Sequence, residues 1–380
     1  KDTQIQINGS VAPGFESVEQ LFEHQMHTMA EKNVQLCVYH RGQKVVDLTA
    51  STKGDPNFSE DSLVNVFSSG KSLEAIAVAS LISKGLLNYD DKITQYWPEF
   101  GAKGKEGSTV ADLMRHEAGL ANFDTSIDME DLFTEKIKQN VVGRIIEEHA
   151  PSYRASGKRE YHALTRGWIV NELFRRVDPA GRTIGEYLRE EVSGPLNADV
   201  VVGVNQQEME RVSPVRSLGF GYQLIQGLIP RFLGRRIVHN IFQIARRLVR
   251  VLPGVFKARK TGAPPPIAGT TMLGYFNEAD FAMGETPSAN ANCSARGLAK
   301  LAAMLAAGGA IEGRQVLTAE AWRALHENPV DAPLGSLLNT RFTQGGVDWF
   351  KPCTPDSPRI EREFNEGREG FYGWMGFGGS

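Results

Sequence analysis

The chain has 380 residues, enough for one large domain or two ordinary ones, with 41% hydrophobic and 23% charged residues. That balance excludes a disordered chain, and a net charge of −3 gives no whole-chain sign of nucleic-acid binding. Three dispersed cysteines, Cys37, Cys293 and Cys353, form no CxxC pair for zinc or redox chemistry and favour a reducing, intracellular compartment, although the compartment itself is not read from them. No apolar run reaches membrane-spanning length and no signal peptide is visible, while a first residue of Lys1 leaves open a targeting segment removed upstream.

In chain order, Leu36 to Tyr39 and Lys44 to Leu48 are apolar β-formers around a short turn containing Gly42, which predicts a hairpin opening an antiparallel sheet. From Ser68 to Lys84, Leu73, Ile76, Ala77, Ser80 and Leu81 recur at helical spacing, and Gly85 supplies the stop. Between about residues 109 and 210 the pattern is mostly helical, with Leu113 to His116, Val142 to His149, Leu164 to Arg176 and Ile184 to Val192 as elements. Ala295 to Gly308 predicts a further helix. The tail from Arg341 to Ser380, rich in Gly, Phe and Trp, predicts strands and turns. The layout is α+β: a sheet region with the Ser68 helix over 1–108 and 278–380, and a helical region over 109–210.

Residues 211–277 stand apart, with eleven Lys or Arg and no Asp or Glu. Val238, Ile241, Phe242, Ala245, Leu248, Val249 and Leu252 mark an apolar helical stripe, with Arg235, Arg236, Arg246, Arg247 and Arg250 on the other face. Two readings apply: a peripheral contact of residues 231–260 with an anionic membrane, or an insert whose stripe packs on the protein body, the latter being the commoner use of such a helix. Without an aromatic stacking platform beside the arginines, nucleic acid is not an expected partner.

Chemistry concentrates at Phe67-Ser68-Ser69-Gly70-Lys71-Ser72. A serine hydroxyl needs a base and an oxyanion site to act as a nucleophile. Lys71, three residues on, shares a helix face with Ser68 and can direct its amine back to it. S-x-x-K alone also fits a Ser68 that caps a helix beside a solvated Lys71. A phosphate loop is disfavoured, because its first glycine falls on Asn65.

The surrounding text carries more: Gly85-Leu86-Leu87-Asn88-Tyr89-Asp90-Asp91-Lys92-Ile93, Leu113-Met114-Arg115-His116-Glu117-Ala118-Gly119-Leu120, Tyr161-His162-Ala163 and Pro195-Leu196-Asn197-Ala198-Asp199. In this order the chain resembles the serine β-lactamase and penicillin-binding-protein superfamily, most closely the class C-like branch that includes family VIII carboxylesterases. The resemblance covers nearly everything outside the basic insert. It implies an antiparallel sheet flanked by helices and a metal-free, cofactor-free serine hydrolase acting on a small acyl substrate through an acyl-enzyme.

By that resemblance Ser68 is the nucleophile, and Lys71 and Tyr161 share proton transfer. Ala163 replaces the family's usual Asn, and His162 is a flanking structural residue. Trp374-Met375-Gly376 stands for the third motif on a strand beside the nucleophile. Gly376 would admit substrate, and the backbone N–H of Phe377 would complete an oxyanion hole with that of Ser68. Ala163 and Trp374 remove the amide and the cation that suit β-lactams, pointing to short acyl esters first and peptide-like amides second. A non-hydrolytic protein acting in binding, assembly or membrane association is the alternative. Family members continue into further strands and a C-terminal helix, so the sheet is expected to be incomplete at Ser380.

Overall fold

The structure, a computed structural model, describes residues 5–52, 55, 57–153, 158–246, 248–249, 262, 264–270, 274–335, 338–377 and 379–380. The expected hairpin is present. Strands β2 (Asn33–His40) and β3 (Gln43–Thr52) join through Arg41-Gly42, both at positive φ (52° and 76°), as a tight two-residue hairpin turn requires. Strand β1 (Ile5–Val11) adds antiparallel to β3, giving the order β1-β3-β2. The sheet packs on the Ala295–Ala306 helix, where Gln35 Oε1 accepts the Ala295 N–H and Arg296 pairs with Asp47 at 2.8 Å.

Two further four-stranded sheets are built from short strands. In one, Val200–Val201, Asn292–Cys293, Leu63–Asn65 and Val212–Ser213 lie side by side. Leu63–Asn65 feeds directly into the Ser68 turn, and Val66 N–H bonds to Ala291 O at 2.9 Å, so this sheet fixes the base of the site. The other carries Val330–Leu334, Leu338–Phe342, Asp348–Trp349 and Tyr372–Gly373. The tail is not only strands and turns: Arg359–Asn365 is a helix.

The Lys71–Ser83 helix is buried from Lys71 through Leu81 on every face, not on one stripe. Ala75, Ala77 and Ala79 keep it slim enough for the Thr165–Val177 and Ala319–His326 helices to pack against it. Gly167 marks one close approach: a Cβ there would lie 2.6 Å from Ser288 N and 2.9 Å from Glu74 Oε1. The other expected helices appear as Val110–Met114, Val141–Glu148, Thr165–Val177 and Ile184–Tyr187, the last running on as a wider π-turn over Leu188–Ser193.

The basic insert departs from expectation. Residues 241–246 are helical, but the most buried side chain is Ile244, 7% exposed; of the expected buried stripe Ile241 is half-buried, while Val238, Phe242, Ala245, Leu248 and Val249 are exposed. The cause is Gly227 in the Phe220–Leu228 helix, where a Cβ would come within 2.9 Å of Ile244 Cδ1; the glycine draws the Ile244 side inward. Arg236 lies outside this helix and donates to Met29 O at 2.7 Å. Arg247, Arg250 and Leu252 lie outside the described residues. Among the described residues no helix is long and apolar enough to cross a membrane.

Candidate active site

Ser68 lies in a 3-10 turn, Phe67–Gly70, that precedes the α-helix starting at Lys71. It therefore does not cap the α-helix. Phe67, just before it, holds φ at +49°, a left-handed conformation that a bulky L-residue adopts only when its surroundings enforce it. Asn65 Oδ1 enforces it by accepting the Phe67 N–H at 2.7 Å, and Gly70 permits it, since a Cβ there would meet Pro287 O at 2.6 Å. As the second residue of the turn, Ser68 has a backbone N–H with no intrahelical acceptor.

Three side chains converge. Tyr161 Oη lies 2.6 Å from Ser68 Oγ, and Lys71 Nζ lies 3.3 Å from the same oxygen. Lys71 also donates to the backbone carbonyls of Ala163 (2.9 Å) and Ser288 (3.0 Å), and its ammonium position is 4.8 Å from the Tyr161 ring centroid. Carbonyls only accept, so a neutral amine spends both hydrogens on them and turns its lone pair toward Ser68. Burial lowers the Lys71 pKa and Arg166 lowers it further, against the opposing pull of Tyr161 and Glu74. Burial alone would raise the Tyr161 phenol, yet the Lys71 charge and hydrogen bonds from Ser68 and Lys71 bring it below the ordinary tyrosine value. Tyr161 is 38% exposed and so reaches solvent at the mouth of the site.

A family model described as Beta-lactamase matches residues 18–380. The chain belongs to the Beta-lactamase family. It is 31% identical over 335 residues to "Esterase/beta-lactamase LipL" of Mycobacterium tuberculosis, covering 86% of this chain and 71% of that protein. Among solved structures, a family VIII carboxylesterase superposes with a TM-score of 0.73 at 23% identity, covering 99% of this chain and 89% of the other. A penicillin-binding protein homolog from Caulobacter crescentus does so with a TM-score of 0.71 at 24% identity, covering 98% and 88%. The fold is thus the α+β architecture of β-lactamase-like and penicillin-binding-protein-like proteins.

In this family member, the residues around the cluster include several that sequence reasoning did not single out. Glu74 and Arg166, both essentially unexposed, form an ion pair at 2.7 Å directly behind Lys71. Ser288 donates its hydroxyl to Glu74, and Arg166 also donates to Met114 O at 2.9 Å. The available signal was a charged residue inside an otherwise apolar, alanine-rich helix. His162 accepts the Leu120 N–H at Nε2 (3.0 Å) and contacts Glu160 O through Nδ1 (2.6 Å), so both ring nitrogens are occupied. Burial holds its pKa down at about 4. His116 Nδ1 accepts the His162 N–H at 3.0 Å. Both histidines are braces for the segment that carries Tyr161.

A cavity of about 280 Å³ opens beside Ser68. Phe67, Phe123, Leu164, Trp168, Tyr275 and Phe276 are among the residues of its wall, and among the described residues no charged side chain lines it. Pro264 and Pro266, from the end of the basic insert, close one side.

The C-terminal motif is placed differently from the sequence expectation. Only Tyr372–Gly373 is strand, and Trp374, Met375 and Gly376 follow it. Trp374 turns its indole N–H to Gly346 O (3.0 Å) and packs against the core, away from the cavity. At Gly376 a Cβ would meet Ser380 Oγ at 2.0 Å, Val66 O at 2.3 Å and Ser69 Oγ at 3.0 Å, so this glycine lets its segment pass close to the Ser68 turn. Phe377 does reach the site. It lines the cavity edge-on to Phe67, with centroids 5.7 Å apart, and its backbone N–H has no acceptor among the described residues.

Proposed function

We propose that this protein is a serine hydrolase that cleaves small, neutral acyl esters through an acyl-enzyme on Ser68. The observation that carries this reading is the convergence of Tyr161 Oη and Lys71 Nζ on Ser68 Oγ at 2.6 and 3.3 Å. Ser68 Oγ attacks the ester carbonyl carbon, and its proton passes to the Lys71–Tyr161 pair. The negative charge that develops on the carbonyl oxygen is met by the Ser68 and Phe377 N–H groups, both without an acceptor among the described residues. Collapse breaks the bond to the alkoxide, which leaves as alcohol with a proton from Tyr161, the group with access to solvent. Water then attacks the acyl carbon and gives a proton to the same pair; the bond to Ser68 Oγ breaks, the pair returns that proton to Oγ, and the acid leaves.

The uncharged, aromatic wall supports a neutral acyl group. Nothing at position 163 offers an amide side chain, because Ala163 contributes its carbonyl to Lys71. Trp374 offers no cation to a carboxylate. Esters therefore come before peptide-like amides, and β-lactams are a side activity at most. A panel of p-nitrophenyl esters of increasing acyl length, aryl amides and a chromogenic cephalosporin tests this ranking. The expected result is ester turnover that exceeds cephalosporin turnover and vanishes in Ser68→Ala. Cephalosporin hydrolysis above that of every ester would overturn it.

A further inference from the structure

Apolar exposure in this protein is concentrated in one place. Of the sixteen large hydrophobic side chains exposed among the described residues, eleven lie between Leu218 and Val249. Phe232 is 87% exposed and Phe242 82%, and Ile225, Leu228 and Leu233 are each more than half exposed. Water-facing phenylalanines of this number signify a surface built to be covered. The outward placement of Phe242 follows from the contact that turns Ile244 onto Gly227 and leaves Phe242 on the far side.

The charge of the same segment says what covers it. Residues 211–277 hold eleven Lys or Arg and no carboxylate side chain. Among the described residues, Arg216, Arg231, Arg235, Arg236 and Arg246 form no ion pair. The guanidinium groups of Arg235 and Arg236 donate to backbone carbonyls, and Arg231 and Arg246 are exposed beside Phe232 and within the Phe242 helix. A second copy of this chain would bring like charge to like charge. An anionic lipid surface instead takes phenylalanine and leucine into its interface and phosphates onto the arginines.

We infer that residues 218–249 dock this protein peripherally on an anionic lipid bilayer. The segment returns to the body through Ile127, whose N–H bonds to Pro266 O at 3.0 Å, and Pro264 and Pro266 line the cavity beside Ser68.

Co-sedimentation of the full chain with extruded vesicles tests the inference without reference to activity. Vesicles of phosphatidylcholine with phosphatidylglycerol are expected to pellet the protein at physiological salt, and pure phosphatidylcholine vesicles much less. Arg231→Ala and Arg246→Ala should each weaken partitioning by roughly fivefold, the equivalent of ~1 kcal/mol per surface cation. Phe232→Asp/Phe242→Asp should abolish pelleting; both side chains are exposed, so retained near-UV circular dichroism shows that the fold persists. Failure of the wild-type protein to pellet with the anionic vesicles overturns the inference. So does a vesicle-free dimer in sedimentation velocity that Phe232→Asp/Phe242→Asp dissociates, which would assign the surface to self-association.

Discussion

Tyr161 Oη stands 2.6 Å from Ser68 Oγ, nearer than Lys71 Nζ at 3.3 Å. In the proposed mechanism Tyr161 is the nearer acceptor for the serine proton, and the Lys71 charge is among the causes that lower its phenol pKa. Tyr161→Phe is expected to lower kcat/KM for a p-nitrophenyl ester by about 10²–10⁴-fold, the usual scale of general acid–base catalysis. Lys71→Ala should fall in the same range, with lost packing besides. His162 has both ring nitrogens engaged by backbone groups, so any loss in His162→Gln should follow its stability and leave the pH profile of the remaining activity unchanged. A displaced pH profile in that variant would make His162 the base.

The same electrostatics predict a pH profile. Both Lys71 and Tyr161 titrate below their ordinary values. A base must be deprotonated to accept the Ser68 proton, so acylation should rise with pH and level off at a midpoint below 10.0, the ordinary tyrosine value. Single-turnover acylation across the pH range measures this limb. Arg166→Gln removes a cation that lowers both groups and should move the midpoint upward.

The Glu74–Arg166 pair is a support whose loss is costly. Neither side chain is reached by water, and Ser288, Met114 and Lys71 backbone or side-chain groups complete the network. Removing one partner leaves a buried charge uncompensated, at about 3–5 kcal/mol. Arg166→Met is expected to lose stability on that scale in urea unfolding, and an exposed control, Arg323→Met, to lose almost none.

Much of this arrangement was legible in the sequence. The hairpin around Gly42, the apolar periodicity of the helices and the Ser68–Lys71 spacing are local patterns, and short-range chain geometry governs them. Tyr161 was legible only through the resemblance, because 93 residues separate it from Ser68. What escaped depends on distant contacts. Gly376 looks like room for a substrate until Val66 O fills the space. The stripe through Phe242 looks buried until Gly227 of another helix turns Ile244 inward. The Phe67 backbone twist has no signature of its own; Asn65 and Gly70 create it. Arg359–Asn365 interrupts a tail whose aromatic composition suggested strand throughout.

Two buried groups tie stability to pH in opposite senses between about pH 4 and 7. Burial pushes Asp348 up to about 7 from 3.8, despite Arg159 and Lys351 nearby. The folded state keeps that proton where the unfolded state has lost it, so this group's contribution declines as pH rises from about 4 to 7. His162, held at about 4 against an ordinary 6.5, works the other way: the unfolded chain gains its proton first, and stability declines as pH falls from 6.5 to 4. Asp348→Asn should therefore raise Tm relative to wild type more at pH 8 than at pH 5. Equal offsets at the two pH values would show that Asp348 titrates normally in the folded protein.

The most direct measurement of the central claim is covalent trapping. Intact protein treated with a fluorophosphonate should gain a single adduct, and peptide mass mapping should place it on Ser68. Tyr161→Phe should acquire the same adduct far more slowly, and Ser68→Ala should acquire none. An adduct on another serine, or undiminished labelling of Ser68→Ala, would contradict the assignment of Ser68 as the nucleophile.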